Sequence, residues 1–416
     1  MLEQFADTDS AIADDVVIIG GGLAGLYCAL KLAPRPVTLI SATPIERPAP
    51  VARSSTAAFR PPDTAQVHAD ETIALGAGLA NARMATLMAT ECGGHLEALR
   101  GYGVALDADD DAPPVYARLA HALREARSVR VLEGYSVSDL IKDGGRVAGL
   151  IANADDPAAG PAEIRLAARA VVIATGGAGG LYARTTSPPG SYGQGLALAA
   201  RAGALLADAE FVRFIPMDNG QPAADFHIGG VLTDANGRTS IDGLWACGEV
   251  ASTGVHGAAL FAPNAVLEAL VFAARVARDI SALYPAPIAM AMRPGSTSAF
   301  GSGLFRESEA TARLQQIMTD KVGADRDRDG LVEAIGAIAV LEREGGPSFW
   351  FRNMIMAARL IAVFALKRGE SRGAHRRTDF TGTDTAQARR TVLTLAEAER
   401  LASPQDVPAQ VAPASG

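Results

Sequence analysis

Apolar positions in this chain follow two regimes. Short β-branched runs alternate with helical spacing through the first two thirds, and from Glu307 onward only helical spacing remains. Residues 16–19 are wholly apolar, the pattern of a strand buried on both faces of a parallel sheet, and residues 23–33 follow with helical spacing. Residues 37–41 predict a second strand, 68–99 a long helix, 115–127 another helix and 129–132 a short strand. Residues 136–153 alternate around Asp143-Gly144-Gly145 and predict a hairpin. Residues 170–173 and 244–247 predict buried strands, 193–204 a helix of small residues, and 263–276 a longer helix. Four helical stretches at 310–320, 331–344, 349–368 and 386–402 then predict a C-terminal helical bundle without strands. The pattern divides into an α/β domain over 1–300, a helical domain over 301–402, and a Pro/Ala/Ser-rich tail over 403–416 expected to be disordered.

Chemistry concentrates where strands end. Gly20, Gly22 and Gly25 stand in G-x-G-x-x-G register between the first strand and helix, with Leu23 and Ala24 inside the motif. The first glycine permits a tight turn, the second lets backbone approach a pyrophosphate, and the third packs helix on strand. The phosphates would meet unpaired N–H groups at the helix N-terminus. A second strand of this kind often ends in an acidic residue that holds a ribose; here it ends in Ser41, so ribose recognition is either weaker or made by a hydroxyl and backbone. That weakens an NAD-binding reading. The apolar strand ending in Ala174-Thr175-Gly176-Gly177 is a second dinucleotide-side feature, and Gly248-Glu249 after residues 244–247 is a third. Together they describe a Rossmann-like two-part FAD-binding fold with a parallel sheet. Glu249 is placed to hold a ribityl hydroxyl, and the helix start at Asn264, Ala265 and Val266 is placed to face the flavin's pyrimidine oxygens.

Composition narrows the rest. A formal charge of -8 and a pI near 5.4 offer nothing to nucleic acid. Three scattered cysteines without C-x-x-C spacing argue against a disulfide framework or zinc, and for a reducing, cytoplasmic setting. The acidic start lacks a basic n-region, so no signal peptide is expected. The most apolar segment, 354–366, contains Arg359 and is too short for a membrane span. Asp325, Asp327, Asp329 and Gly330 imitate a calcium loop, but Gly336 stands where its bidentate glutamate belongs, and no metal is expected.

The words I-I-G-G-G-L-A-G-L (18–26), A-T-G-G-A-G-G-L-Y (174–182), E-F-V-R-F-I-P (210–216), G-R-T-S-I-D-G-L-W-A-C-G-E-V-A-S-T-G-V-H-G-A (237–258) and E-S-R-G-A-H-R-R-T-D-F (370–380) resemble the L-aspartate oxidase branch of the fumarate reductase and succinate dehydrogenase flavoproteins. The resemblance implies oxidation of L-aspartate to iminoaspartate by hydride transfer to flavin N5, with oxygen or fumarate as acceptor. It also implies a place in de novo NAD synthesis, the product passing to quinolinate synthase. FAD would be held non-covalently, because relatives that attach it use a histidine after the first βαβ unit and residues 44–65 contain none. The family's flavin-covering segment is shortened here to residues 54–59, which assigns flavin contacts to Ser54, Ser55 and Thr56.

Departures cluster on the substrate side. Only residues 217–224 separate Pro216 from Asp225, so the family's capping domain is reduced to a remnant over 217–227. The clamp arginine of H-G-A-N-R is replaced by Leu260, and the histidine near F-x-P by Ile215. Asp225 takes the position of the substrate-side histidine, with His227 two residues on; His256 matches the flavin-side histidine. His227 and His256 are therefore the candidate catalytic residues. Two readings are open: an L-aspartate oxidase-like enzyme acting on an amino acid or dicarboxylate, or a flavin-binding paralogue that has lost the dicarboxylate site. An apolar flavin face made by Ile215 and Leu260 would suit a smaller or monocarboxylate substrate.

Overall fold

The computed structural model describes residues 12–45, 64–104, 115–156, 162–218, 220–283, 309–344 and 348–402. Ser54, Ser55, Thr56 and the tail over 403–416 lie outside them. The apolar run at 16–19 is the end of β1 (Ile12–Ile19), which α1 (Leu23–Leu32) connects to β2 (Val37–Ser41). Then come α2 (Ala65–Leu75), α3 (Ala82–Arg100), α4 (Val115–Glu125) and β3 (Val129–Glu133). A meander comes next, of β4 (Tyr135–Asp143), β5 (Arg146–Ala154) and β6 (Glu163–Ile173), turning first at 143–146 as expected. After α5 (Gln194–Ala202) and β7 (Leu206–Ala207), β8 (Val212–Pro216) and β9 (Pro222–His227) form a hairpin. The central part ends with β10 (Gly230–Leu232), β11 (Leu244–Ala246), β12 (Ala251–Ser252) and α6 (Asn264–Ser281).

Seven strands make the main sheet, in the order β3-β2-β1-β6-β5-β4, with β11 also on β6. β1 pairs in parallel with β2 and β6, and Ile18 stands between Leu39 and Val172. β6 does two jobs. Its first half pairs antiparallel with β5, and its last three residues pair in parallel with β11. The expected strand at 170–173 is thus the tail of an eleven-residue strand, hidden from apolar patterning by Arg165 and Arg169. Side chains alternate across the sheet: Val17, Ile19, Val171 and Ile173 enter the core on the α5 side, while Val16, Ile18, Ala170 and Val172 enter the core beneath α1, α3 and α6.

Two helical expectations are corrected. The single helix over 68–99 is two, α2 and α3, broken where Ala77 takes a φ of +52° between Gly76 and Gly78 and where Asn81 caps α3 by accepting the Met84 N–H. Of the helix over 386–402 only α10 (Leu395–Leu401) forms, started by a capping box between Thr394 and Glu397. The residues before it are drawn out into β15 (Val392–Leu393), which pairs with β7. The C-terminal part consists of α7 (Glu309–Lys321), β13 (Asp325–Arg326), α8 (Arg328–Glu344), α9 (Phe349–Lys367), β14 (Arg376–Arg377), β15 and α10, so the expectation of helices alone is also corrected. Among the described residues α9 is long and apolar enough to cross a membrane, but most of it is buried inside the fold, against α5 and α8. The β8–β9 hairpin closes on itself, with the Met217 N–H donating to the Gln221 carbonyl at 3.0 Å.

Candidate active site

The ends of β1, β6 and β11 converge on the G-x-G-x-x-G turn. Gly20 has a φ of +116°, and a Cβ there would lie 2.2 Å from the Ala174 carbonyl oxygen, so only glycine lets the first turn pass under the A-T-G-G segment. Gly22 caps α1 without a side-chain acceptor, and a Cβ at Gly22 would meet nothing within 4 Å. Gly22 therefore borders open space at the start of α1, where an anion can approach the helix N-terminus. Gly25 packs α1 onto the Gly20 carbonyl, Leu23 is partly buried, and Ala24 touches Gly248. Ser41 borders the turn through Gly21 and donates its hydroxyl to the Thr43 carbonyl at 2.6 Å. Gly176 has a φ of +75°, and Gly177 is held against the Glu249 carboxylate. The Thr175 hydroxyl and the side-chain amide of Gln194 are buried without a partner among the described residues, as expected of groups that meet a polar ligand.

Glu249 accepts the His227 backbone N–H at 2.9 Å. Burial, with the nearby charges of Asp225 and Glu268, pushes its carboxyl up to about 7 against the pull of the His227 and Gly177 amides. The His227 ring turns inward and donates Nε2–H to the Ala209 carbonyl at 3.1 Å; burial pushes it down to about 4, so it is neutral at pH 7. His256 donates Nε2–H to Glu268 at 2.9 Å, and Glu268 also accepts the Thr253 hydroxyl at 2.5 Å. The other ring nitrogen, Nδ1, is buried without a partner among the described residues. Phe226 stands edge-on to the His256 ring at 5.7 Å. Sequence pattern missed how α6 is anchored: the fully buried Asn264 side chain accepts from His68 Nε2 at 2.6 Å and donates to the Thr72 hydroxyl at 2.9 Å. Its backbone N–H goes to the Phe261 carbonyl at 2.9 Å, and the Ala265 N–H to Ala262 at 3.4 Å, while Val266 packs partly buried beside the core.

In front of Leu260 lies a cavity of about 270 Å³, lined by Arg213, Phe214, Leu260, Ala374 and Arg376 among others. Arg213 Nε is 3.5 Å from Asp225, whose other oxygen accepts the Thr186 hydroxyl at 2.8 Å. Arg376 pairs with Asp325 at 3.1 Å, so the calcium-loop mimic contributes an ion pair at the cavity's edge. Neither arginine stood out in the sequence. Arg213 lies inside the E-F-V-R-F-I-P word, and its place in that word was the available signal.

The cavity's far wall is the 370–380 segment, fastened by buried charge. Arg368 bridges Glu210 at 2.5 Å and Glu370 at 2.7 Å, and Arg372 grips Glu370 through two nitrogens at 2.8 and 2.9 Å. Arg326 donates to the Glu210 carbonyl at 2.7 Å and to His375 Nδ1 at 2.9 Å, which fits a neutral imidazole held low by burial and the adjacent arginine. The Ala374 N–H donates to the Ala258 carbonyl at 2.8 Å, closing this segment onto the H-G-A run.

Residues 15–115, 107–220 and 218–266 match the FAD binding domain model, and 348–410 match the fumarate reductase flavoprotein C-terminal model. The chain belongs to the fumarate reductase and succinate dehydrogenase flavoprotein family. Its cofactor is FAD, and the open helix terminus, the glycine turn and the unpaired Thr175 and Gln194 groups fit that ligand. This flavoprotein is 32% identical to the L-aspartate oxidase of Agrobacterium fabrum, over 91% of this chain and 93% of that one. It is 31% identical to that of Caulobacter vibrioides, over 91% and 96%. The Agrobacterium alignment runs over 502 positions, more than the 416 residues here, so that relative carries segments without a counterpart in this chain. Among solved structures, the apo Mycobacterium smegmatis Sdh1 complex aligns with a TM-score of 0.75 at 22% identity, covering 91% of each chain. Escherichia coli quinol fumarate reductase aligns at 0.72 and 18%, covering 92% of this chain and 94% of that one. These two likenesses establish the fold.

Proposed function

We propose that this flavoprotein is an FAD-dependent oxidoreductase that oxidises an amino acid. The observation that carries the reading is the cavity beside Leu260, which Arg213 lines together with Phe214 and the segment that follows His256. Bound FAD supplies the hydride acceptor. The α1 amides and Gly22 would hold its pyrophosphate, Glu249 a ribityl hydroxyl, and Thr175 and Gln194 further polar edges. Phe214 and Leu260 keep water from one side of the cavity, which strengthens any ionic contact made there. His256, with Nε2–H committed to Glu268, keeps a lone pair at Nδ1, the atom we assign to accepting a proton at the reacting centre. His227, neutral and tied to Ala209, serves to hold β9 against Glu249.

The names of the relatives put L-aspartate first among substrates to test. With that we propose oxygen or fumarate as acceptor and a cytoplasmic role in NAD synthesis beside quinolinate synthase. A second reading, a flavin carrier without turnover, draws on Leu260 and Ile215 standing where relatives place charged or titratable groups. The test is the visible spectrum of the FAD-loaded protein under anaerobic conditions, before and after addition of a panel of L-amino acids. Bleaching of the oxidised-flavin bands by any member supports oxidation. Unchanged bands across the panel overturn it and leave the carrier.

A further inference from the structure

We infer that Arg213 is the carboxylate clamp of this site and that the substrate it selects bears one carboxylate and an apolar side chain. The inference rests on the amino-acid oxidation reading and names its substrate class. Strand residues 213 and 214 would ordinarily point to opposite faces. The β8–β9 register shifts between Arg213 and Phe214, where Asp225 is the extra residue of β9, and both neighbours border the same cavity. Arg213 is 34% exposed and makes its ionic contact through Nε, at 3.5 Å from Asp225. Its two terminal nitrogens have no partner among the described residues, and they are the pair that grips a carboxylate bidentately.

The remaining lining residues decide against a second carboxylate. Arg376 is 68% exposed and paired with Asp325, so water screens it. Phe214, Leu260 and Ala374 offer a second carboxylate no side-chain donor, and it would lose hydration there without compensation. An aliphatic chain against Phe214 and Leu260 meets no such penalty.

The experiment is calorimetric titration of the FAD-loaded protein with two unreactive probes, 4-methylpentanoate and succinate. The expected result is that 4-methylpentanoate binds about tenfold tighter or better, that Arg213→Gln removes at least about tenfold of that affinity, and that Arg376→Gln changes it less than about threefold. Leu260→Arg should reverse the preference in favour of succinate. Arg213→Lys, which keeps the charge without the fork, should fall between wild type and glutamine, and it is read in place of Arg213→Gln if that variant does not fold. Tighter succinate binding by the wild type, or unchanged 4-methylpentanoate binding in a folded Arg213 variant, overturns the clamp. If the probes behave as expected but no amino acid bleaches the flavin, the oxidation reading fails and the clamp stands. If L-aspartate bleaches the flavin while succinate is the tighter probe, the reverse holds.

Discussion

At the end of β1 the groups that face the ligand are backbone amides and absent side chains; around Leu260 they are side chains alone. The two regions are joined by β9, whose His227 N–H reaches Glu249 on one side and whose Asp225 reaches Arg213 on the other. A cradle made of backbone changes only when a glycine gains a Cβ, and Gly20 leaves 2.2 Å for one. A pocket made of side chains changes its ligand with one replacement, as the proposed reading has it for Leu260. The same chain can therefore keep a cofactor that marks its ancestry and alter the substrate that defines its reaction.

The largest expected effect would break the cradle. Gly20→Ala forces a Cβ against the Ala174 carbonyl at a positive φ, and should destabilise the protein by more than about 4 kcal/mol and abolish FAD retention. Denaturant unfolding and the ratio of flavin to protein absorbance measure both, and a stable, yellow variant would end the backbone argument. Arg368→Ala strips the buried Glu210 and Glu370 carboxylates of a shared partner and should cost about 3–5 kcal/mol. Its effect should appear in the denaturant midpoint. Leu260→Ala sharpens the comparison from the other side: about 1 kcal/mol or less of stability, because the residue is only partly buried, but a severalfold weaker 4-methylpentanoate isotherm.

The smallest effects are pH dependences of opposite sign. Glu249, pushed up to about 7 from an ordinary 4.5, holds a proton when folded that the unfolded chain has released. Its contribution therefore falls as pH rises through that window, and Glu249→Gln should remove the fall. His227, pushed down to about 4 from an ordinary 6.5, is protonated first in the unfolded chain. Its contribution rises with pH between those values and is lost on acidification, a rise that His227→Asn should remove. Each should shift the melting temperature by about a few °C across its window, read in pH-resolved thermal scans.

Much of this architecture was legible beforehand because it is local. The run at 16–19 had to be buried on both faces, and the glycine spacing had to follow a strand and open a helix. The same reasoning overran at 68–99, where a residue of positive φ between two glycines breaks the helix, and at 386–402, where Arg390 and Thr391 are taken by Asp208 and Glu210. Those partners lie far away along the chain, 182 positions in the case of Arg390 and Asp208.

From its sequence alone the chain announced a dinucleotide-binding α/β fold and a flavoprotein ancestry, since each is written in spacing or in a motif. Tertiary structure alone decided which side chains meet at the cavity. The β8–β9 hairpin brings Arg213 and Phe214 to its border, a buried network of Arg368, Glu210 and Glu370 fixes the opposite wall, and Leu260 lines the space between them. These residues come from separate stretches around 210–214, 260 and 368–370, and for the adjacent pair Arg213 and Phe214 strand alternation argues for opposite faces. Side-chain convergence from distant segments is a property of packing, and packing is settled only when the whole core is assembled.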